Sequence, residues 1–235
     1  MVNRISKQAF IIRYNYVVFL VGLLLMLFGG AASIGLFESG IPRFLDTLAV
    51  IIFAFGIWTL AESRALYLAG LAFLVGAIVL NAIGVMLDYD GMRYLMLISL
   101  TCFLVLTIYA ATRHIFVAEE VDLNRLFGAG CVYLLLGVIF GNIYFFIDTA
   151  APDAFTGVSD GTFSQRLVEM TYHSFVTLTT LGYGDINPVQ PLARTLCYLE
   201  AVIGQIYLTI LVAALVGMHI ATRQNKRRKK SPGAD

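Results

Sequence analysis

The segment "TLTTLGYGDINP", from Thr177 to Pro188, lies between two long apolar stretches of the sequence. Within it Gly182 and Gly184 alternate with bulky residues, and Asp185 follows directly. Because glycine is a poor helix former, the segment is not predicted to be an ordinary membrane-spanning helix. Irregular backbone is tolerated at membrane depth only where it is buried in protein or lines a watery cavity. The segment therefore predicts one of these two environments.

The composition around this segment indicates a membrane protein. Of the 235 residues, 59% are hydrophobic and only 13% are charged, and the mean hydropathy is +0.83. A membrane-spanning helix needs about 20 mainly apolar residues. The sequence has six such runs, at 16–37, 44–61, 65–87, 94–111, 126–147 and 192–221. We therefore predict an all-α membrane protein with six spans.

A seventh apolar stretch, 164–178, comes directly before the irregular segment and is too short to cross a membrane. Its length suggests a re-entrant helix. Thr162 and Gln165 have the spacing of a capping box at its start. A helix that ends at the irregular segment can point its negative C-terminal dipole at a cation beyond it.

The distribution of basic residues predicts the orientation in the cell membrane. Six spans place both termini on one side of the membrane. Loops on the cytoplasmic side should be rich in Lys and Arg. With both termini in the cytoplasm, twelve basic residues lie inside and four outside. The inner set is Arg4, Lys7, Arg13, Arg64, Arg113, Arg125, Arg223, Lys226, Arg227, Arg228, Lys229 and Lys230, and the outer set is Arg43, Arg93, Arg166 and Arg194. The bias predicts a multi-pass protein with cytoplasmic termini.

The chemistry of the segment from Thr180 to Gly184, called the TLGYG segment below, points to cation binding. Glycines at 182 and 184 can adopt backbone angles that let successive carbonyls point the same way. Leu181 and Tyr183 would then point away from the axis and pack behind the strand. Four such strands around one axis would build oxygen cages that replace the water shell of a potassium ion.

These residues resemble the selectivity filter of the potassium channels, and the resemblance extends over about 172–204. It implies one-pore, six-span channel architecture, with four copies forming one pore. The K+ ligands would be the carbonyls of Thr180, Leu181, Gly182 and Tyr183 and the Thr180 hydroxyl. Gly204, sixteen residues beyond Pro188, matches the family's inner-helix glycine hinge.

Further residues are implied to support this filter: Thr179, Asp185, Tyr172, Val176 and Glu200. Tyr172 and His173 stand where relatives often have two tryptophans, so the hydrogen bonding of Asp185 is expected to differ. Val176 replaces a glutamate of some relatives, so no acid pair with Asp185 is expected. Glu200, an acid within a span, is functional by default. It either faces the cavity or bonds to the pore helix behind the filter, and the second reading is favoured.

The sequence divides into four parts. Residues 1–112 form a four-helix membrane domain, 113–125 a cytoplasmic linker, 126–222 the pore domain, and 223–235 a basic tail. The fourth predicted span has no arginine ladder, so strong voltage gating is not expected. The tail could bind anionic lipid or serve only as a topology anchor.

The predicted function is passive, selective K+ conduction, with K+ as the bound ion, a homotetramer as the assembly, and no enzymatic chemistry, other cofactor or nucleic acid. Cys102, Cys131 and Cys197 lie in apolar runs, which favours packing over disulfides or metal binding. Two alternatives stay open. A six-span transporter could use the glycine segment as a substrate site, although transporters usually have broken helices in both halves of a repeat. A non-conducting membrane scaffold is the other.

Overall fold

The computed structural model describes residues 16–29, 56, 64–87, 90–116 and 123–230. Most of these residues are helical, as the apolar composition requires of a chain that must satisfy its backbone in a membrane. Numbered in chain order, the helices are α1 Tyr16–Gly29, α2 Arg64–Leu87, α3 Asp90–Phe116, α4 Leu123–Ala150, α5 Phe163–Leu178 and α6 Pro191–Lys230.

Four helices in the described part are long and apolar enough to cross a membrane. The candidate spans are Arg64–Gly84, Gly91–Arg113, Leu126–Ala150 and Pro191–Gly217. They correspond to the last four predicted spans. Helix α1 covers the first part of the predicted span 16–37, whereas the predicted span 44–61 lies outside the described residues except for Gly56. The protein is thus a mostly helical membrane protein.

Two helices continue past the apolar runs of the sequence. The predicted linker 113–125 shares its first residues with α3, which ends at Phe116, and its last with α4, which begins at Leu123. The basic segment after residue 222 continues α6 as far as Lys230. Arginine and lysine are good helix formers, so the loss of hydropathy at a membrane edge does not end a helix.

Helix α4 lies at the centre of the packing and contacts α3, α5 and α6. Two buried apolar clusters lie along it. The first includes Phe19, Leu23, Leu74, Phe103, Leu135 and Val138. The second includes Leu97, Tyr144, Phe145, Phe155, Met170, Ile186 and Ala193. The second cluster is the one that fixes the short helix α5 and the segment that follows it.

Helix α5 approaches α4 closely at two glycines. A Cβ atom on Gly141 would lie 2.7 Å from Thr171 Cα, and one on Gly137 would lie 2.7 Å from the Phe175 ring. Small residues let membrane helices pack backbone against backbone. Arg166, near the start of α5, also forms an ion pair with Asp148 near the end of α4. These contacts fix both ends of α5 against α4.

The start of α5 and the loops beside it follow local sequence signals. Thr162 and Gln165 form the predicted capping box, in which the Thr162 hydroxyl accepts from the Gln165 N–H and the Gln165 side chain accepts from the Thr162 N–H. A short antiparallel pair, which the all-α prediction lacked, joins β1 (Phe155–Thr156) to β2 (Asn187–Pro188). Runs of two residues carry no strand periodicity, so only their tertiary pairing makes them visible.

Candidate functional site: the TLGYG segment and its supports

The TLGYG segment has an alternating backbone. Thr180, Gly182 and Gly184 have φ values of +58°, +60° and +77°, whereas Leu181 and Tyr183 are not among the residues with positive φ. Alternation between left- and right-handed conformations turns successive peptide units toward the same side. Thr180 is not a glycine, and such a conformation persists only where the surroundings hold it. The backbone is therefore held in a form suited to parallel carbonyl groups.

Hydrogen bonds fix which side the peptide N–H groups face. The N–H groups of Leu181 and Gly182 both donate to the Val176 carbonyl, over 2.9 and 3.3 Å, and Thr180 N–H donates to Thr177 O over 2.9 Å. The start of the segment is thus tied by its donors to the last turn of α5. Carbonyl oxygens on the opposite side of such a strand are left to bind a cation.

The end of α5 forms the base of the segment. The helix ends at Leu178, and Thr179 is its C-cap, with its hydroxyl donating to the Phe175 carbonyl over 2.6 Å. Tyr133 of α4 donates from its hydroxyl to the Leu178 carbonyl over 3.2 Å. Thr179 and Val176 therefore support the segment through backbone geometry, and Val176 also has a buried side chain.

Asp185 and Asn187 hold the other end of the segment. The Tyr172 hydroxyl donates to Asp185 Oδ2 over 2.6 Å, and Asp185 Oδ1 accepts from the Ile186 N–H over 3.0 Å. Asn187 Nδ2 donates to the Gly184 carbonyl over 2.6 Å. The hydrogen bond from Tyr172 is the main reason that the pKa of Asp185 is lowered, and the same bond raises the pKa of Tyr172 to about 12. At neutral pH a charged carboxylate therefore accepts from a neutral phenol.

Replacing Tyr172 by phenylalanine tests this bond. The folded pKa of Asp185 lies below its ordinary value, so the bond stabilises the fold above that ordinary value and is lost as the pH falls through the lowered pKa. In Tyr172→Phe we expect the pKa of Asp185 to rise toward its ordinary value, measured by NMR titration of the Asp185 carboxyl carbon. Tyr109→Phe, which changes an exposed tyrosine of α3, should leave it unchanged. An unchanged pKa in Tyr172→Phe would refute the bond.

Leu181 and Tyr183 differ from the expectation that they pack behind the strand. Within the single chain their side chains are 54% and 66% exposed. The whole stretch 179–185 is exposed as well. Exposed groups of large apolar side chains commonly mark a surface that contacts another molecule. The expected packing is therefore absent within the chain.

Glu200 faces α4 and α5 and is fully buried. Its Oε2 accepts from the Tyr144 hydroxyl over 2.5 Å, and its Oε1 lies in hydrogen-bond contact with Ser174 Oγ. This is the favoured reading of the sequence, a bond to the helix behind the TLGYG segment. His173, next to Ser174, has its Nε2 3.4 Å from the Cys197 sulfur.

Gly204 lies on the same face of α6, one turn after Glu200. A Cβ atom there would lie 2.7 Å from the Leu178 carbonyl oxygen and 2.8 Å from its Cδ1. Helix α6 runs from Pro191 to Lys230 through this position. Close contact with the end of α5 therefore gives a reason for glycine that the hinge expectation did not include.

Sequence reasoning missed Tyr133, Tyr144 and Ser174. A buried tyrosine in an apolar span normally finds a partner for its hydroxyl, and this signal marks both tyrosines. It does not identify the partner, since Tyr144 and Glu200 are 56 positions apart. The three cysteines, also in apolar runs, are all free thiols.

Residues 132–220 match a family model described as an ion channel. The match takes in most of α4, all of α5, the TLGYG segment and α6 as far as residue 220, which is less than half of the chain. No curated protein matches the chain. The family match supports ion conduction rather than enzymatic chemistry. The matched part of the chain includes the TLGYG segment.

Proposed function

We propose that this protein is a potassium-selective channel that conducts K+ passively across the membrane. The observation that carries the proposal is the backbone of Thr180, Gly182 and Gly184, all with positive φ, with neighbouring N–H groups tied to Val176. The K+ ligands are the carbonyls of Thr180, Leu181, Gly182 and Tyr183 and the Thr180 hydroxyl. Stacked oxygens of this kind replace the hydration shell of a dehydrated K+ ion.

The conducting unit we propose is a homotetramer in which each chain supplies one quarter of the filter. Exposure of Leu181 and Tyr183 supports this, because neighbouring chains would cover them. Within the chain, only 11% of an 18-residue apolar stretch of α6 is buried, against 61% for the corresponding stretch of α4. Closed cyclic symmetry is the usual solution for identical chains. A conducting unit with the mass of a monomer or dimer would refute it.

In the proposed topology, six spans cross the cell membrane with both termini in the cytoplasm, and α5 is the re-entrant pore helix. Helix α5 has 16 residues, about 24 Å at 1.5 Å per residue, which is less than the bilayer core. Its C-terminus meets the TLGYG segment, so its dipole favours a cation beyond Leu178. The domain division at 112, 125 and 222 belongs to this proposal.

Flux into liposomes separates the channel from its alternatives. A channel gives K+ flux that follows the K+ gradient, is blocked by Ba2+ and is much faster than Na+ flux. A transporter gives slow, saturable flux, and a scaffold gives none although the protein is folded. Either of these results would overturn the proposal.

We further propose that gating is insensitive to voltage. Between Arg93 and Arg113, at the two ends of the candidate span in α3, the sequence has no arginine or lysine. Steep voltage dependence requires several charges that move through the membrane field. Filter gating, bending of α6 and lipid input are the means of control that we propose.

The basic end of α6 gives a prediction on lipid. Six basic residues between 223 and 230 continue the helix directly after the candidate span. Each is worth about 1 kcal/mol near an anionic surface. We expect anionic lipid to change the open probability of the intact protein in planar bilayers, and a variant truncated after Thr222 to lose this response.

A second variant keeps the helix and removes only the charge. Replacing the six basic residues by glutamine should abolish the lipid response as truncation does, because glutamine is also a good helix former. If both variants respond to anionic lipid like the intact protein, the tail is only a topology anchor.

A further inference from the structure

Three helices meet at one buried carboxyl group. Glu200 of α6 is fully buried, with Oε2 2.5 Å from the Tyr144 hydroxyl of α4 and Oε1 2.5 Å from Ser174 Oγ of α5. Ser174 Oγ also lies 2.7 Å from the carbonyl oxygen of Gly137 on α4. The serine hydroxyl is therefore within hydrogen-bond distance of two oxygen atoms at once.

Counting hydrogen atoms determines the charge state that fits these distances. A serine hydroxyl has one hydrogen to donate, and both a peptide carbonyl and an ionised carboxylate can only accept. With an ionised Glu200, one of the two short oxygen contacts of Ser174 would contain no hydrogen. With a protonated Glu200, its O–H donates to Ser174, Ser174 donates to Gly137, and Tyr144 donates to Oε2. Every contact then has one donor.

The surroundings of Glu200 agree with a neutral group. The titratable side chains that interact with it are Tyr133 and Tyr144 from α4 and Cys197 from α6, and the His173 ring of α5 packs against the Tyr144 ring. Within the described part of the chain, no Lys or Arg forms an ion pair with Glu200, and the contact of His173 is with the Cys197 sulfur. Burying a carboxylate without a cationic partner is strongly unfavourable, whereas burying a hydrogen-bonded neutral acid is tolerated.

We infer that Glu200 is a protonated, neutral positioning residue that joins α6 to α5 behind the TLGYG segment. Glu200 and Gly204, four residues apart on α6, face Ser174 and Leu178, four residues apart on α5. The TLGYG segment begins two residues after Leu178. The acid thus sets the position of the helix end that holds the segment. Its effect on conduction rests on the proposed function, whereas its protonation does not.

Infrared spectroscopy of the purified full-length protein tests the proton directly. At neutral pH, the difference spectrum between the wild type and Glu200→Gln should contain the C=O stretch of a protonated carboxylic acid. The corresponding band of an ionised carboxylate, with no acid band, would overturn the inference. This measurement needs no ion conduction, so it stands even if the proposed function fails.

Substitution distinguishes a neutral donor and acceptor from a charge. Glutamine offers an N–H to Ser174 and a carbonyl to Tyr144, so it reproduces the hydrogen bonds of the protonated acid, whereas alanine provides neither. We expect Glu200→Gln to keep K+ flux within about twofold of the wild type and Glu200→Ala to lose about tenfold or more, as for a buried group left without its partner. If alanine prevents assembly, rescue of assembly by glutamine supports the same conclusion. Equal damage by both substitutions would contradict it.

Discussion

Gly182→Ala is expected to remove most of the preference for K+ over Na+ while the protein still assembles. The Gly182 φ is +60°, and holding an alanine in the left-handed region costs about 1–2 kcal/mol. Among the described residues of one chain, a Cβ atom at this position would meet nothing within 4 Å, so the expected damage comes from the backbone angle. Relief of this strain would turn the peptide groups that carry the proposed K+ ligands in each of the four chains, which disturbs the oxygen cages. We expect the permeability ratio of K+ to Na+ to fall at least about tenfold.

Gly217→Ala is the matched control for this experiment. Gly217 lies in α6, has no positive φ, and within the described part of the chain likewise has nothing within 4 Å of an added Cβ. It should keep the wild-type permeability ratio, measured from reversal potentials. Thr180→Ala should have a milder effect than Gly182→Ala, since the Thr180 carbonyl remains and only the hydroxyl is lost. Normal selectivity in Gly182→Ala would show that the TLGYG segment is not the filter.

Gly204→Ala is expected to destabilise the assembled protein. The added Cβ would lie 2.7 Å from the Leu178 carbonyl oxygen, which is backbone and cannot rotate away. Overpacking of this kind costs about 1–3 kcal/mol. The gain in helix propensity of about 1 kcal/mol acts in the opposite direction. We therefore expect a lower melting temperature and reduced K+ flux, because Leu178 directly precedes the C-cap of α5.

The direction of the change in melting temperature distinguishes the close-contact explanation of Gly204 from the hinge explanation. If Gly204 served only to ease bending of α6, alanine would stiffen the helix and raise its stability. Gly217→Ala, where an added Cβ meets open space, should raise or preserve the melting temperature and serves again as the control. A Gly204→Ala protein as stable as Gly217→Ala would contradict the contact account.

The spans and α5 could be predicted well from sequence because hydropathy and capping are local properties. The predicted stretch 164–178 became α5, Phe163–Leu178, and the run 65–87 became α2, Arg64–Leu87. Helices α3 and α6 continue beyond the predicted spans 94–111 and 192–221, to Phe116 and Lys230, since basic residues leave a membrane without leaving a helix. The glycines at 182 and 184 have positive φ, as expected from the sequence of the TLGYG segment.

The contacts that support the TLGYG segment depend on tertiary structure. For Glu200 the favoured expectation was a bond to the helix behind the TLGYG segment. Its partners Ser174 and Tyr144 could not be identified from sequence, since they lie 26 and 56 positions away. The contact of Gly204 with Leu178 likewise joins two helices that no periodicity relates. Leu181 and Tyr183 are exposed in one chain, and in the proposed tetramer neighbouring copies would cover them.

The central claim is that the TLGYG segment selects K+, and the reversal potential under bi-ionic conditions tests it most directly. With the purified protein in a planar bilayer, K+ on one side and Na+ at equal concentration on the other, the current should reverse only at a large potential at which the K+ side is negative. The open probability should also vary little with voltage. A reversal potential near zero, which indicates equal passage of K+ and Na+, would contradict the account.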